Sequence, residues 1–328
     1  MKLLIVIRHR FELWNPPDWL AERLRRDFPE LEVVHLKDYS GIEEHIRDAE
    51  IAIAWSLRPE QIKLARNLRW LHSTAAAVHQ LIFPELVNSE IVLTNAGSVH
   101  GPVVAEHVMA LIFALAKRIP QAVRLQEKHF WGQTVMWDSQ PRPREISGEV
   151  LGLVGVGSIG STVARLATAL GMVVIAVREH AEAPKPEGVD HVFSPEQFEG
   201  FLAQSDYVVL AAPVTPETRQ LMNAARLRQM KRDAYLVNVG RGALVDQGAL
   251  AIALRERQLA GAALDVFEKE PLPPDSPLWD LDNVLITPHS AGLTENLWQR
   301  HYDLFQRNLS RYLSGEPLLG VVDKHRGY

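Results

Sequence analysis

Few folds accommodate the stretch Val150 to Arg178, VLGLVGVGSIGSTVARLATALGMVVIAVR. A short apolar run, Val150 to Val154, leads into Gly155, Gly157 and Gly160, spaced G-x-G-x-x-G. Ser161 to Leu170 then carries the Ala-, Leu- and Val-rich pattern of a helix, Gly171 ends it, and Met172 to Val177 forms a second apolar run. The order is strand, glycine turn, helix, strand. In such a unit the first glycine permits a tight turn, the second lets backbone approach a pyrophosphate, and the third lets helix and strand pack closely. The helix N-terminus adds free N–H groups and partial positive charge. The motif alone is weak, but a strand before it and a helix after it favour dinucleotide binding over glycines kept for packing only. Gly155, Gly157, Ser158, Ile159 and Gly160 are therefore expected to bind the cofactor.

About 20 residues past such glycines, a cofactor without a 2′-phosphate usually meets an acidic residue. Here Arg178 stands at the end of the second strand, followed by Glu179 and His180. A guanidinium fork suits a phosphate and cannot accept a proton from a ribose hydroxyl. The expected cofactor is NADP(H), with NAD(H) second. The plainer alternative turns Arg178 to solvent and gives the ribose to Glu179.

Composition narrows the partners. A chain of 328 residues has room for two domains, and 47% hydrophobic with 23% charged residues is ordinary for a soluble globular protein. The net charge of −5 argues against a nucleic-acid surface. With no cysteine there is no disulfide framework and no thiolate chemistry, and no His-x-x-x-His or clustered carboxylates predict a metal. The opening MKLLIVIRHR is too short for a signal or a membrane span. Val103 to Ala116, the longest apolar stretch, is interrupted by Glu106 and His107. A cytoplasmic protein without membrane contact is expected.

Along the chain, Leu3–Ile7, Leu31–Leu36, Glu50–Trp55, Arg69–Ser73 and Glu90–Thr94 read as strands, with helices at Asp18–Phe28, Gly41–Ala49 and Pro59–Asn67 between them. The alternation predicts a mostly parallel sheet. Asn95–Pro102, with two glycines and a proline, reads as a crossing between domains. Pro102–Arg118 is a helix apolar nearly all round, which must be covered on every side. Either two domains or a second subunit covers it. Gln121–Glu145, with Trp131 and Trp137, reads as a helix and a protruding loop. Strands at Asp190–Phe193, Asp206–Ala211, Ala234–Asn238, Gly261–Val266 and Val284–Ile286 alternate with helices at Pro195–Ala203, Ala224–Met230 and Gln247–Arg257, enough for a second, larger doubly wound sheet. Glu295–Leu313 is a further helix.

Three motifs follow strands of that sheet. In Val237-Asn238-Val239-Gly240-Arg241-Gly242, an arginine stands where ligands meet an α/β sheet, and its small neighbours leave substrate room beside a fork suited to a carboxylate. In Leu264-Asp265-Val266-Phe267-Glu268-Lys269-Glu270-Pro271, Asp265 ends a strand and Glu270 lies in a loop. In Ile286-Thr287-Pro288-His289-Ser290-Ala291-Gly292, His289 follows the next strand. Each alone is most simply a surface residue. Together, His, carboxylate and Arg suit proton delivery to an oxygen while an acid is gripped.

These motifs, with Asp206-Tyr207-Val208-Val209 and Pro213-Val214-Thr215-Pro216-Glu217-Thr218, resemble the D-isomer-specific 2-hydroxyacid dehydrogenase family from about Leu71 to the C-terminus. The resemblance implies an α/β fold of two doubly wound, Rossmann-like parallel-sheet domains. The dinucleotide-binding domain, 101–291, is inserted into the substrate domain, 1–100 and 292–328. It implies a homodimer through the cofactor domain and reduction of a 2-keto acid to a D-2-hydroxy acid. Carried over, Arg241 binds the substrate carboxylate and keto oxygen, His289 is the proton donor, and Glu270 orients and charges it. Asp265 receives the nicotinamide carboxamide, and Pro213, Thr218 and Val239 line the cofactor. Backbone N–H groups of Thr74–His79, notably Ala76 and Ala77, hold the carboxylate. Relatives often carry Gly at the position of Ala77, where a positive φ would strain alanine by about 1 kcal/mol. Ser56, Leu57 and Arg58 border the pocket, and Trp131 or Trp137 closes a neighbour's. Phosphite and formate dehydrogenases share the cofactor unit, although the latter carry Gln at the position of Glu270. C-terminal-binding corepressors use the same fold as a dinucleotide-gated scaffold.

Overall fold

The structure is a computed structural model that describes residues 1–327. The chain divides into two compact units, one of Met1–His100 with the segment from Thr294 onward, the other of Gly101–Leu293.

In the first unit, β1 (Lys2–Val6), β2 (Glu32–Leu36), β3 (Ile51–Ala54), β4 (Trp70–His72) and β5 (Val92–Thr94) form one sheet in the order β2-β1-β3-β4-β5. All its pairings are parallel. Alternation along each strand supplies two cores. Leu3, Ile5, Ile51, Ile53 and Trp70 pack with Leu20, Leu24, Tyr302 and Phe305, whereas Leu4, Val6, Ala52, Ala54 and Leu71 pack with Ile42, Ile46 and Ile62. The helix Leu297–Leu313 thus returns the C-terminal segment to this sheet.

In the second unit, β6 (Val150–Val154), β7 (Val173–Val177), β8 (His191–Phe193), β9 (Tyr207–Leu210), β10 (Tyr235–Asn238), β11 (Gly261–Leu264) and β12 (Val284–Ile286) lie in the order β12-β11-β10-β9-β6-β7-β8. They too are all parallel. The chain builds outward from β6 through β7 and β8, then crosses to β9 on the other side. Ligands bind at such a reversal, outside the strands' carboxyl ends.

Two segments carry more helix than their composition suggests. The segment Asn95–Pro102 does hold the crossing between the two units, at His100–Gly101, but most of it is helical: the helix expected from Pro102 runs Gly97–Ala116 with Pro102 inside it. The Asn95 side chain accepts the Gly97 N–H at its start. Burial of Val99 and Gly101 outweighs the weak local propensity. Within the expected protruding loop, Gln133–Asp138 forms a short helix. Gly97–Ala116 is, by length and composition, the one helix among the described residues able to span a membrane. Val104, Ala105, Val108, Met109, Leu111, Ile112 and Leu115 are instead buried in the second unit's core with β6 and β9.

Candidate active site

The glycine turn follows β6 directly. Gly155 has φ of +91°, which L side chains rarely adopt, and a side chain at Gly160 would collide with the Gly155 carbonyl. Nothing lies within 4 Å of where a Gly157 side chain would stand. The helix Ser158–Ala169 starts there with no side-chain cap, so its first N–H groups remain available to an anion. These residues fit a dinucleotide pyrophosphate. The other expected cofactor residues also follow strands of this sheet. Arg178 follows β7, Pro213 and Thr218 follow β9, Val239 follows β10, and Asp265 follows β11.

Several of these side chains already have structural work. Arg178 Nη2 donates to the carbonyls of Ala183 and Pro184, tying down the loop after β7, while its buried Nε has no partner. Thr218 Oγ1 donates to Pro213 O at 2.8 Å and accepts from Thr215 N at 2.7 Å, closing the loop after β9. Asp265 is 1% exposed. Its Oδ1 accepts from Thr287 Oγ1 at 2.6 Å and Ser290 N at 2.8 Å, and its Oδ2 accepts from Ala291 N at 3.1 Å.

Arg241 stands in a turn clipped by Asn238. Asn238 Oδ1 accepts from Gly240 N at 3.1 Å, and Nδ2 donates to Arg241 O at 3.0 Å. This short-range side-chain clip is legible in an Asn two residues before a glycine, yet it was not among the expected site residues. Arg241 Nη1 donates to Gly240 O at 2.7 Å. Burial pushes the guanidinium pKa down, against the opposing pull of Glu270. Gly242 does not serve substrate room as expected. Its missing side chain is required by the backbone of Phe267 and Glu268, which would occupy the same space.

The motifs after β11 and β12 come together. His289 Nδ1 lies 2.7 Å from Glu270 Oε2, and Glu270 Oε1 accepts from Phe267 N at 2.9 Å. A carboxylate at Nδ1 places a proton there and leaves Nε2 for another partner. The hydrogen bond to Glu270 raises the His289 pKa, partly offset by burial, and the charges of Glu270 and Asp265 add to the rise while Arg241 opposes it. Glu270 is shifted the other way. Burial raises its pKa, but the bonds from His289 and Phe267 N, with the charges of His289 and Arg241, bring it below its ordinary value. His289 has φ of +51°, an uncommon conformation held by its N–H donating to Asp265 O at 2.9 Å.

Ala76 and Ala77 lie in the loop after β4 of the first unit. Asn95 Nδ2 donates to Ala76 O at 3.0 Å, and Ala96 N donates to Ala75 O at 3.2 Å. Ala77 is not among the residues with positive φ, so the strain expected of alanine there is absent. Among the described residues no cluster of His, Cys, Asp or Glu is arranged to hold a metal ion.

A parallel sheet with a glycine turn at its reversal defines a dinucleotide-binding α/β protein. The carboxylate–imidazole pair and the half-buried arginine stand at the same end of this sheet. The chain belongs to the D-isomer specific 2-hydroxyacid dehydrogenase family, whose NAD-binding domain matches residues 109–291. It is 35% identical over 288 residues to a glyoxylate reductase of Korarchaeum cryptofilum, covering 86% of this chain and 85% of that one. Among solved structures, a D-isomer specific 2-hydroxyacid dehydrogenase of Xanthobacter autotrophicus in complex with NADPH and MES is similar at TM-score 0.82 and 32% identity, covering 99% of each chain. An NADPH-dependent glyoxylate/hydroxypyruvate reductase of Sinorhizobium meliloti in complex with NADP and sulfate is similar at TM-score 0.82 and 28% identity, covering 100% of this chain and 99% of that one.

Proposed function

We propose that this chain reduces a small 2-keto acid, of the glyoxylate or hydroxypyruvate kind, to a D-2-hydroxy acid with NADPH preferred over NADH. The observation that carries this reading is the 2.7 Å His289–Glu270 pair on the sheet edge that also bears Arg241. A dihydronicotinamide, when bound, supplies the hydride. Negative charge grows on the substrate's carbonyl oxygen as C2 becomes tetrahedral. His289, kept protonated by Glu270, delivers a proton to that oxygen from Nε2. Arg241 binds the carboxylate and stabilises the developing charge. In the oxidative direction His289 is the base.

The cofactor preference rests on Arg178, assisted by the NADP found with similar structures. A homodimer is supported by apolar surface on the second unit. Phe113, Ile119, Val123, Phe130 and Trp137 are exposed, and Trp131 is 91% exposed. Residues of this kind mark a protein–protein contact where they lie in one contiguous patch.

The test is consumption of NADPH and NADH with glyoxylate, hydroxypyruvate, pyruvate, 2-ketobutyrate and phenylpyruvate, for the wild type and Arg178→Asp. Turnover is expected with the smaller keto acids and faster with NADPH, and the variant should lose that preference by roughly tenfold or more. An unchanged preference removes Arg178 from the account. No turnover with any keto acid removes the reductase reading and favours a dinucleotide-gated scaffold.

A further inference from the structure

One titratable side chain beside the His289 loop has no part in the reading above. His107 interrupts the apolar face of the helix Gly97–Ala116 and is only partly exposed. Its Nε2 lies 3.2 Å from Thr287 Oγ1 and 3.7 Å from Asp265 Oδ1. Hydrogen-bond bookkeeping gives the contact a direction. Asp265 uses both oxygens as acceptors, Oδ1 for Ser290 N and Oδ2 for Ala291 N. The 2.6 Å contact between Thr287 Oγ1 and Asp265 Oδ1 therefore takes the hydroxyl's only proton. Thr287 Oγ1 can then only accept from His107, which requires a proton on Nε2. The chain runs from His107 Nε2–H to Thr287 Oγ1–H to Asp265, and Asp265 holds the N–H groups of the two residues after His289.

We propose that His107 is a positioning residue for His289: its Nε2–H fixes the Thr287 hydroxyl and, through it, the Asp265 carboxylate that shapes the loop Thr287–Ala291. The claim rests on the reading of His289 as proton donor. It accounts for a polar residue placed in an otherwise apolar helix face, and for a positive φ at His289 sustained without glycine. The charged groups around His289 are Glu270, Asp265 and Arg241. Those on His107 reduce to Asp265, which favours the imidazolium, while burial disfavours it more and lowers its pKa. His107 is therefore neutral at pH 7 and above, where its removal changes position rather than charge.

The experiment compares His107→Phe, His107→Gln, Thr287→Val and the double variant His107→Phe/Thr287→Val. It reads keto-acid reduction and, separately, the His289 imidazole titration by NMR in protein without substrate. His107→Phe is expected to lower kcat about tenfold, the scale of one lost hydrogen bond. It should move the His289 titration to lower pH. His107→Gln keeps an N–H donor and should restore most of both. The double variant should be no worse than the poorer single one, as expected of members of one chain. Equal behaviour of Phe and Gln, or losses that multiply, would overturn the proposal and leave His107 as packing. Should His107→Phe fold poorly, Thr287→Val and His107→Gln carry the same comparison. Should the wild type reduce no keto acid, the proposed function fails, and the NMR titration alone still decides whether His107 positions His289.

Discussion

His289 and His72 are the same side chain in opposite surroundings. His289, half exposed after β12, bonds a carboxylate and has a raised pKa. His72, 1% exposed at the end of β4, bonds Thr94 Oγ1 through Nδ1 at 2.8 Å and leaves Nε2 without a partner. Burial pushes its pKa down to about 4. His301, buried in the same unit, is pushed down too, by burial and by the neighbouring His100 and His72. A carboxylate partner reached by solvent stabilises the imidazolium; an apolar interior excludes it. One histidine is arranged to carry a proton, and the other to remain without one.

The widest separation between the two is expected from His289→Gln and His72→Gln. His289→Gln should lower kcat for keto-acid reduction about 10²- to 10⁴-fold. Its thermal midpoint should stay near that of the wild type, because the side chain is half exposed. Comparable activity in the variant would remove His289 from the chemistry. His72→Gln should act on acid stability instead. The folded His72 has a pKa of about 4 against 6.5 in the unfolded chain. Between those values the unfolded state binds the extra proton, so stability falls as pH drops from about 6.5 to about 4. The shift corresponds to about 3 kcal/mol. Urea midpoints measured across this range should fall less steeply in His72→Gln than in the wild type. Parallel slopes would mean that His72 is reached by solvent.

The same contrast explains what the sequence could reveal. Strand–helix alternation and the three strand-end motifs place Gly155, Arg241, Glu270 and His289 on one sheet, because apolar periodicity and glycine spacing are local properties. The pairing of Glu270 with His289 also follows from the family resemblance. The Asn238 clip is local and follows from an Asn two residues before a glycine, whereas the roles of Thr287 and His107 depend on which elements meet after folding. His107 stands 180 residues from Thr287, and no local pattern connects them. The glycine–proline composition of Asn95–Pro102 marks the crossing between the units, at His100–Gly101, but hides the helix that passes through it, because burial outweighs propensity there. Gly242 was read as open space because a missing side chain does not say whether substrate or protein fills the gap.

The most direct test of the His289–Glu270 account is the pH dependence of kcat for glyoxylate reduction in the wild type and Glu270→Gln. Reduction needs the imidazolium, so kcat should fall as pH rises through the His289 pKa, which Glu270 holds above its ordinary value. Glu270→Gln removes the hydrogen-bonded charge, and the fall should move to lower pH. A superimposable profile in the variant would contradict the assignment of His289 and Glu270 as the proton-donating pair.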